Sequence, residues 1–190
     1  GQWVLDTACE RIAGWANDPE MAELTIAVNI SARQFQQKDF VDNVLRTVRR
    51  YHADPRRLRL ELTESMLVHD MDDVIGKMQA LQAEGIGLSL DDFGTGYSSL
   101  TYLKRLPLDQ LKIDQGFVRD ILTDPDDAII ARMIVALGEN FGLKVMAEGV
   151  ESEAQLLVLA QHGCNYYQGY LFSPPLTPAA FETYVKAKSS

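Results

Sequence analysis

Apolar positions along the chain follow two alternating rhythms. Over positions 4–15 they fall at helical spacing and stop at Asn17-Asp18-Pro19, and positions 24–30 form a short apolar run ending in Asn29-Ile30-Ser31, a strand. Helical spacing returns over 40–51 with Asp39 as a candidate cap, and Leu-Arg-Leu-Glu-Leu-Thr over 58–63 reads as the next strand. A helix over 71–84, stopped by Gly85, leads into a strand over 86–90. The series continues with a helix over 100–106 ahead of Pro107, a strand over 108–114, and a helix over 126–141 closed by Gly142. A strand over 143–148, a helix from Ser152 to Gly163, a strand over 165–168 and a helix opened by Thr177-Pro178 complete it.

Strands alternating with helices imply α/β architecture with a parallel sheet, either doubly wound or a (β/α) barrel. The faces of the strands favour the barrel. One parity carries Val28, Ile30, Leu60, Leu62, Leu88, Leu90, Leu111, Ile113, Val145 and Ala147, suited to covering helices. The other carries Asn29, Glu61, Asp91, Lys112, Asp114, Glu148 and Gln168, all near the C-terminal ends of strands, where barrel active sites are built. A doubly wound sheet, with helices on both faces, has no place for them. The expectation is a modified TIM-type barrel in which six of the eight barrel strands are present. The other two would come from residues before Gly1, or the barrel would be open or completed by another chain.

The chemistry concentrates in Leu88-Ser89-Leu90-Asp91-Asp92-Phe93-Gly94-Thr95-Gly96-Tyr97-Ser98-Ser99. Here a buried strand runs into two carboxylates and then a glycine-punctuated loop, with Ser98 or Ser99 able to cap the helix that follows. Aspartates after strands often only satisfy loop amides, but two adjacent like charges at the mouth of a packed strand repel unless a cation lies between them. Glu61, Asp91, Asp92 and Glu148 around one mouth would be costly to desolvate unpaired. Asn29 adds a neutral oxygen and Lys112 the one cation. Hard divalent cations, Mg²⁺ or Mn²⁺, resolve such a cluster, and two metals about 3.5–4 Å apart are the usual arrangement for in-line attack on a phosphodiester. Taken alone, Lys112 reads more readily as half of an internal Lys-Asp or Lys-Glu pair, Glu148 as a cap and Gln168 as an interior amide; the case rests on the set.

The 190 residues, 46% hydrophobic and 24% charged, suit one globular domain with a sizeable core. A net charge of −9 argues against general affinity for DNA, RNA or anionic membranes. The most apolar long stretch, 128–147, is broken by Arg132, Glu139, Asn140 and Lys144, so no membrane span is expected. Cys9 and Cys164 have no metal spacing, and the expected setting is cytoplasmic with reduced thiols.

Asn29-Ile30-Ser31, Glu61-Leu62-Thr63-Glu64, the segment from Asp91 to Leu100, Lys112-Ile113-Asp114, Ala147-Glu148-Gly149-Val150-Glu151 and Gln168-Gly169-Tyr170 together resemble the successive signatures of the EAL domain family. The resemblance implies one EAL-like domain over 1–190, incomplete at its N-terminus, hydrolysing cyclic di-GMP to the linear dinucleotide with Mg²⁺ or Mn²⁺. It implies that Asn29, Glu61 and Asp91 bind one metal and that Asp91, Asp92 and Glu148 bind the other. Lys112 would position or deprotonate the water, Glu64 would brace the loop after Asp92, and Glu151 and Gln168 would complete the site. A homodimer near that loop, upstream regulatory domains and a parent protein anchored to the membrane through upstream segments belong to the same expectation. The Glu-Ala-Leu segment and its hairpin are absent, removing one family carboxylate ligand and accounting for the two missing strands. Smaller departures are Gln115-Gly116, where the family usually has a basic residue and Ser, and Pro174, where it often has a basic residue. The alternative is a catalytically inactive EAL-like receptor for cyclic di-GMP or a protein-interaction module.

Overall fold

The computed structural model describes residues 1–68, 70–96 and 103–189. Six strands form one sheet whose order, β1 to β6, is the order of the chain, and every pairing with a described register is parallel. This is the topology of successive (β/α) units expected from the sequence. No helix among the described residues is long and apolar enough to cross a membrane.

The chain divides into two compact units, the first comprising Gly1–Glu61, Gly76–Leu88 and Pro175–Ser190. Helix α1 (Gln2–Trp15) buries Leu5, Ala8, Cys9 and Ile12, the one-faced spacing that its apolar pattern dictates. Strand β1 (Ile26–Asn29) pairs with the start of β2 (Leu58–Thr63), placing Asn29 opposite Glu61. Between them lie the short helix α2 (Ala32–Phe35) and α3 (Phe40–Tyr51). Ser31 and Gln34 form a capping box on α2, an element the strand-to-loop reading of Asn29-Ile30-Ser31 passed over. Asp39 stands at the N-cap of α3 but makes no side-chain capping bond. Helix α4 (Met71–Ala83) buries Met78 and Leu81 completely, and Gly85, with φ +90°, turns the chain just past its end. The terminal helix α8 (Pro178–Ser189) returns to α1: the Phe181 ring lies 5.7 Å from that of Trp15, whose indole N–H donates to Glu182 at 3.0 Å.

The second unit, Leu62–Ile75 with Ser89–Pro174, carries most of the candidate chemistry. Strand β3 (Gly87–Phe93) pairs with β4 (Gln110–Ile113), β4 with β5 (Lys144–Ala147), and β5 with the two-residue β6 (Tyr166–Tyr167). Helices α5 (Gln115–Asp120), α6 (Pro125–Phe141) and α7 (Glu153–Gln161) follow β4 and β5. Leu90, Leu111, Ile113, Val145 and Ala147 are buried, as their parity predicts. Gly138 lets α6 press onto β5, since a Cβ there would stand 2.2 Å from Val145 Cγ2.

Four strands, β1, β4, β5 and β6, are shorter than the apolar runs implied, and β3 is longer. It continues through Asp91 and Asp92 to Phe93, so the paired carboxylates lie within the strand rather than in a loop after it. Helix α5 was not legible in Asp114-Gln115-Gly116, because a glycine in a six-residue helix leaves little periodic signal. The beginning of the helix expected over 100–106, with its candidate caps Ser98 and Ser99, lies outside the described residues, as does His69.

Candidate active site

Adjacent residues in a regular strand point to opposite faces, so Asp91 and Asp92 should diverge. They do not, because β3 bulges there. Leu90 pairs with Leu111 and Phe93 with Ile113, so two residues of β3 stand opposite Lys112 alone. The extra residue is absorbed at Asp92, whose φ is +54°. Its N–H donates to Asp91 Oδ1 at 3.0 Å. Glu148 arrives from the adjoining strand end, its N–H bonded to Ile113 O at 3.3 Å. One oxygen from each of Asp91, Asp92 and Glu148 falls within 4.8 Å of the others.

Lys112 supplies the compensating charge. It is 2% exposed, its Nζ lies 3.4 Å from Asp91 Oδ1, and it pairs with Glu148 Oε1. Asp114, expected beside Lys112, accepts the Gly116 N–H at 2.8 Å as the cap of α5, and its charge acts on Asp92. Burial first, and then the charges of Asp91 and Asp114, push the Asp92 carboxyl above its ordinary pKa, against the opposing pull of Lys112.

Glu64 lies buried at the start of the segment after β2, and its Oε2 accepts the Gly94 N–H at 3.1 Å. Its Oε1 is buried with no hydrogen-bond partner among the described residues. Gly96 is what permits that approach, because a Cβ there would stand 2.6 Å from Glu64 Oε1. Glu151 and Gln168 are exposed, and backbone bonds place both. The Glu151 N–H donates to Gln155 Oε1 at 2.9 Å, while Gln168 accepts from Val150 N–H at 3.0 Å and donates to Ala147 O at 2.8 Å. Asn29, exposed, and Glu61, buried, belong to the first unit, where they stand opposite each other across β1 and β2.

The structure thus gathers Asp91, Asp92, Lys112 and Glu148 into one cluster. Sequence reasoning missed Gln155, a buried amide bonded to both sides of this region. The Ser152-x-x-Gln155 spacing of a capping box was the available signal for it. The cluster can hold a hard cation among oxygen ligands, and Lys112 keeps a proton donor in the same pocket.

Comparison with known proteins agrees with the reading of the residues. The model of the family described as "EAL domain" matches residues 1–175. The bifunctional diguanylate cyclase/cyclic di-GMP phosphodiesterase MucR of Pseudomonas aeruginosa is 49% identical over 176 residues, covering 93% of this chain and 26% of MucR. The solved structure of the PaMucR phosphodiesterase in complex with c-di-GMP has 47% identity and a TM-score of 0.92, over 95% of this chain and 73% of that one. Klebsiella pneumoniae BlrP1, solved with manganese and the cyclic dinucleotide, has 30% identity and a TM-score of 0.78, over 90% of this chain and 44% of that one. The chain spans about a quarter of the length of the curated relatives it matches. By its family match, its fold and its similarity to these proteins, the chain belongs to the EAL domain family.

Proposed function

We propose that this chain is the phosphodiesterase part of its protein, hydrolysing cyclic di-GMP to linear pGpG with two divalent cations, Mg²⁺ or Mn²⁺. The observation that carries this is the convergence of Asp91, Asp92 and Glu148 within 4.8 Å around one buried lysine. Three carboxylates with one cation, where burial and neighbouring negative charge both oppose the ionised Asp92, fit a hard divalent ion better than a merely structural cluster. The names of MucR and of its cyclic di-GMP complex support the choice of substrate.

Asn29, Glu61 and Asp91 would hold one ion, and Asp91, Asp92 and Glu148 the other. Bound there, the ions would supply Lewis-acid charge for the phosphodiester oxygens and acidify the attacking water. Lys112, fixed between Asp91 and Glu148, orients that water and stabilises the negative charge gathering on phosphorus-bound oxygens. A bond from the water oxygen to phosphorus forms as the bond to the ribose 3′ oxygen breaks, and the departing oxygen takes up a proton. Glu64 holds the Gly94 N–H and so braces the loop beyond β3, while Glu151 and Gln168 would complete the site.

The test is to incubate the protein with cyclic di-GMP and Mn²⁺ beside an Asp91→Ala variant and to separate the nucleotides by chromatography. Metal-dependent pGpG from the wild type, absent with the variant, is the expected result. Unchanged nucleotide with wild-type protein that binds Mn²⁺ and cyclic di-GMP would replace this proposal with a receptor function.

A further inference from the structure

Gln155 lies in the first turn of α7 and is 7% exposed. In a capping box its duty ends at the N-terminus of its own helix: Oε1 accepts from the Ser152 N–H at 2.9 Å, and Ser152 Oγ accepts the Gln155 N–H at 3.3 Å. Here the amide does more. Oε1 also accepts the Glu151 N–H at 2.9 Å, and Nε2 donates to Val118 O at 3.2 Å and Arg119 O at 3.4 Å. Both acceptor positions and both donors of one buried side chain are therefore used. One end grips the segment running from Glu148 to Ser152, and the other grips α5, which Asp114 caps and Lys112 precedes.

A second contact joins the same two segments. Gly149, with φ +68°, lies so close to α5 that a Cβ would stand 2.9 Å from Gln115 Cβ. Gly149 holds the segment immediately after Glu148, and Gln155 holds it after Glu151. The stretch is thus fixed to α5 at two points, and Glu148 is fixed relative to the strand that carries Lys112.

We infer that Gln155 is a positioning residue that holds Glu148 in register with Lys112 and the two aspartates, and so sets the affinity of the carboxylate cluster for its metal. The inference rests on the metal-binding reading of the site. Outer groups that orient metal ligands typically change affinity by about 10- to 100-fold when removed.

Two substitutions separate positioning from helix capping. In Gln155→Glu the carboxylate still accepts from Glu151 and Ser152 N–H, as a capping-box glutamate does, but it has nothing to donate to Val118 and Arg119. In Ser152→Ala the hydroxyl cap is lost and the amide link to α5 stays. Calorimetric titration with Mn²⁺ alone should show affinity about tenfold weaker in Gln155→Glu and close to wild type in Ser152→Ala. Equal affinity in Gln155→Glu and wild type, or an equal loss in both variants, overturns the inference. Wild-type protein that takes up no Mn²⁺ overturns the metal reading and this inference with it. A measurement on the wild type covers a Gln155→Glu protein that does not fold: the Gln155 side-chain amide signals in NMR should shift on addition of Mg²⁺, and signals that stay in place overturn the proposal.

Discussion

The backbone N–H of Asp92 donates to the carboxylate of Asp91, its own neighbour in β3. That bond belongs to a bulge that turns two successive carboxylates toward one cluster, a concentration of charge that a regular strand cannot produce. Without metal, the Asp92 charge works against the fold, since burial, Asp91 and Asp114 all oppose it. Asp92→Asn should therefore raise stability at neutral pH by about 1 kcal/mol or less in urea denaturation of metal-free protein. At Mn²⁺ near 100 times the dissociation constant the order should reverse, because wild type gains about 2.7 kcal/mol from binding and the variant gains much less. A variant that is less stable in both conditions would mean that Asp92 is a structural residue.

Lys112 has the opposite relation to the cluster. It is the cation shared by Asp91 and Glu148, and its removal leaves buried charge uncompensated. Lys112→Met should cost about 3–5 kcal/mol in metal-free protein, the range for breaking a buried pair from one side. Mn²⁺ should restore part of that loss while turnover of cyclic di-GMP stays abolished. Stability rescued together with activity would remove Lys112 from the proposed chemistry and leave it only a charge-balancing role.

These two residues mark the boundary of what the sequence could disclose. Strand parity put Lys112 and Asp91 on the inner face, because alternation along a regular strand has a fixed period, and both are buried there. Asp92 was expected in the same cluster as a residue beyond the strand end; the structure keeps it within β3, and the bulge that turns it inward depends on pairing with β4, a non-local fact with no local signal. Asp114 shows the same limit. Its parity pointed to Lys112, but β4 ends at Ile113 and Asp114 serves as the cap of α5. Strong stop signals fared better: Gly85, Gly142 and Gly163 all adopt positive φ where the helices were expected to end.

Glycines also distinguish contact from conformation. A Cβ on Gly169 would stand 2.1 Å from Val150 O and 2.3 Å from Val150 N, backbone atoms that are bonded to Leu171 N–H and Gln168 O on either side of Gly169. A Cβ on Gly142 would meet nothing within 4 Å, although its φ is +70°. Gly142→Ala should cost about 1 kcal/mol, the strain of a left-handed alanine. Gly169→Ala should cost about 3 kcal/mol or more, since neither backbone can yield without breaking the Val150–Gln168 bond. Urea denaturation of the two variants gives the comparison directly, and equal losses would mean that the 169–173 turn has room to move.

The last prediction concerns pH and the core of the first unit. Cys9 is fully buried on α1, and its thiol is pushed up to about 11, first by burial and then by the charge of Asp6. Its ordinary value is 9.0, so the folded state holds this proton more tightly than the unfolded chain. The resulting stability is fully present below pH 9.0 and is lost as pH rises through the interval to about 11. Tyrosines titrate in the same alkaline range, so the slope for the wild type alone is not diagnostic. The informative quantity is the difference between wild type and Cys9→Ala, measured by urea denaturation at successive pH values. Cys9→Ala should start less stable at neutral pH through lost packing, and the gap should narrow steadily above pH 9. In parallel, iodoacetamide at pH 8 should label Cys9 in native protein only at the rate of opening, because neither the thiolate nor the access that alkylation needs is present. A gap that stays constant from neutral pH to pH 11 would show that Cys9 does not couple its proton to folding.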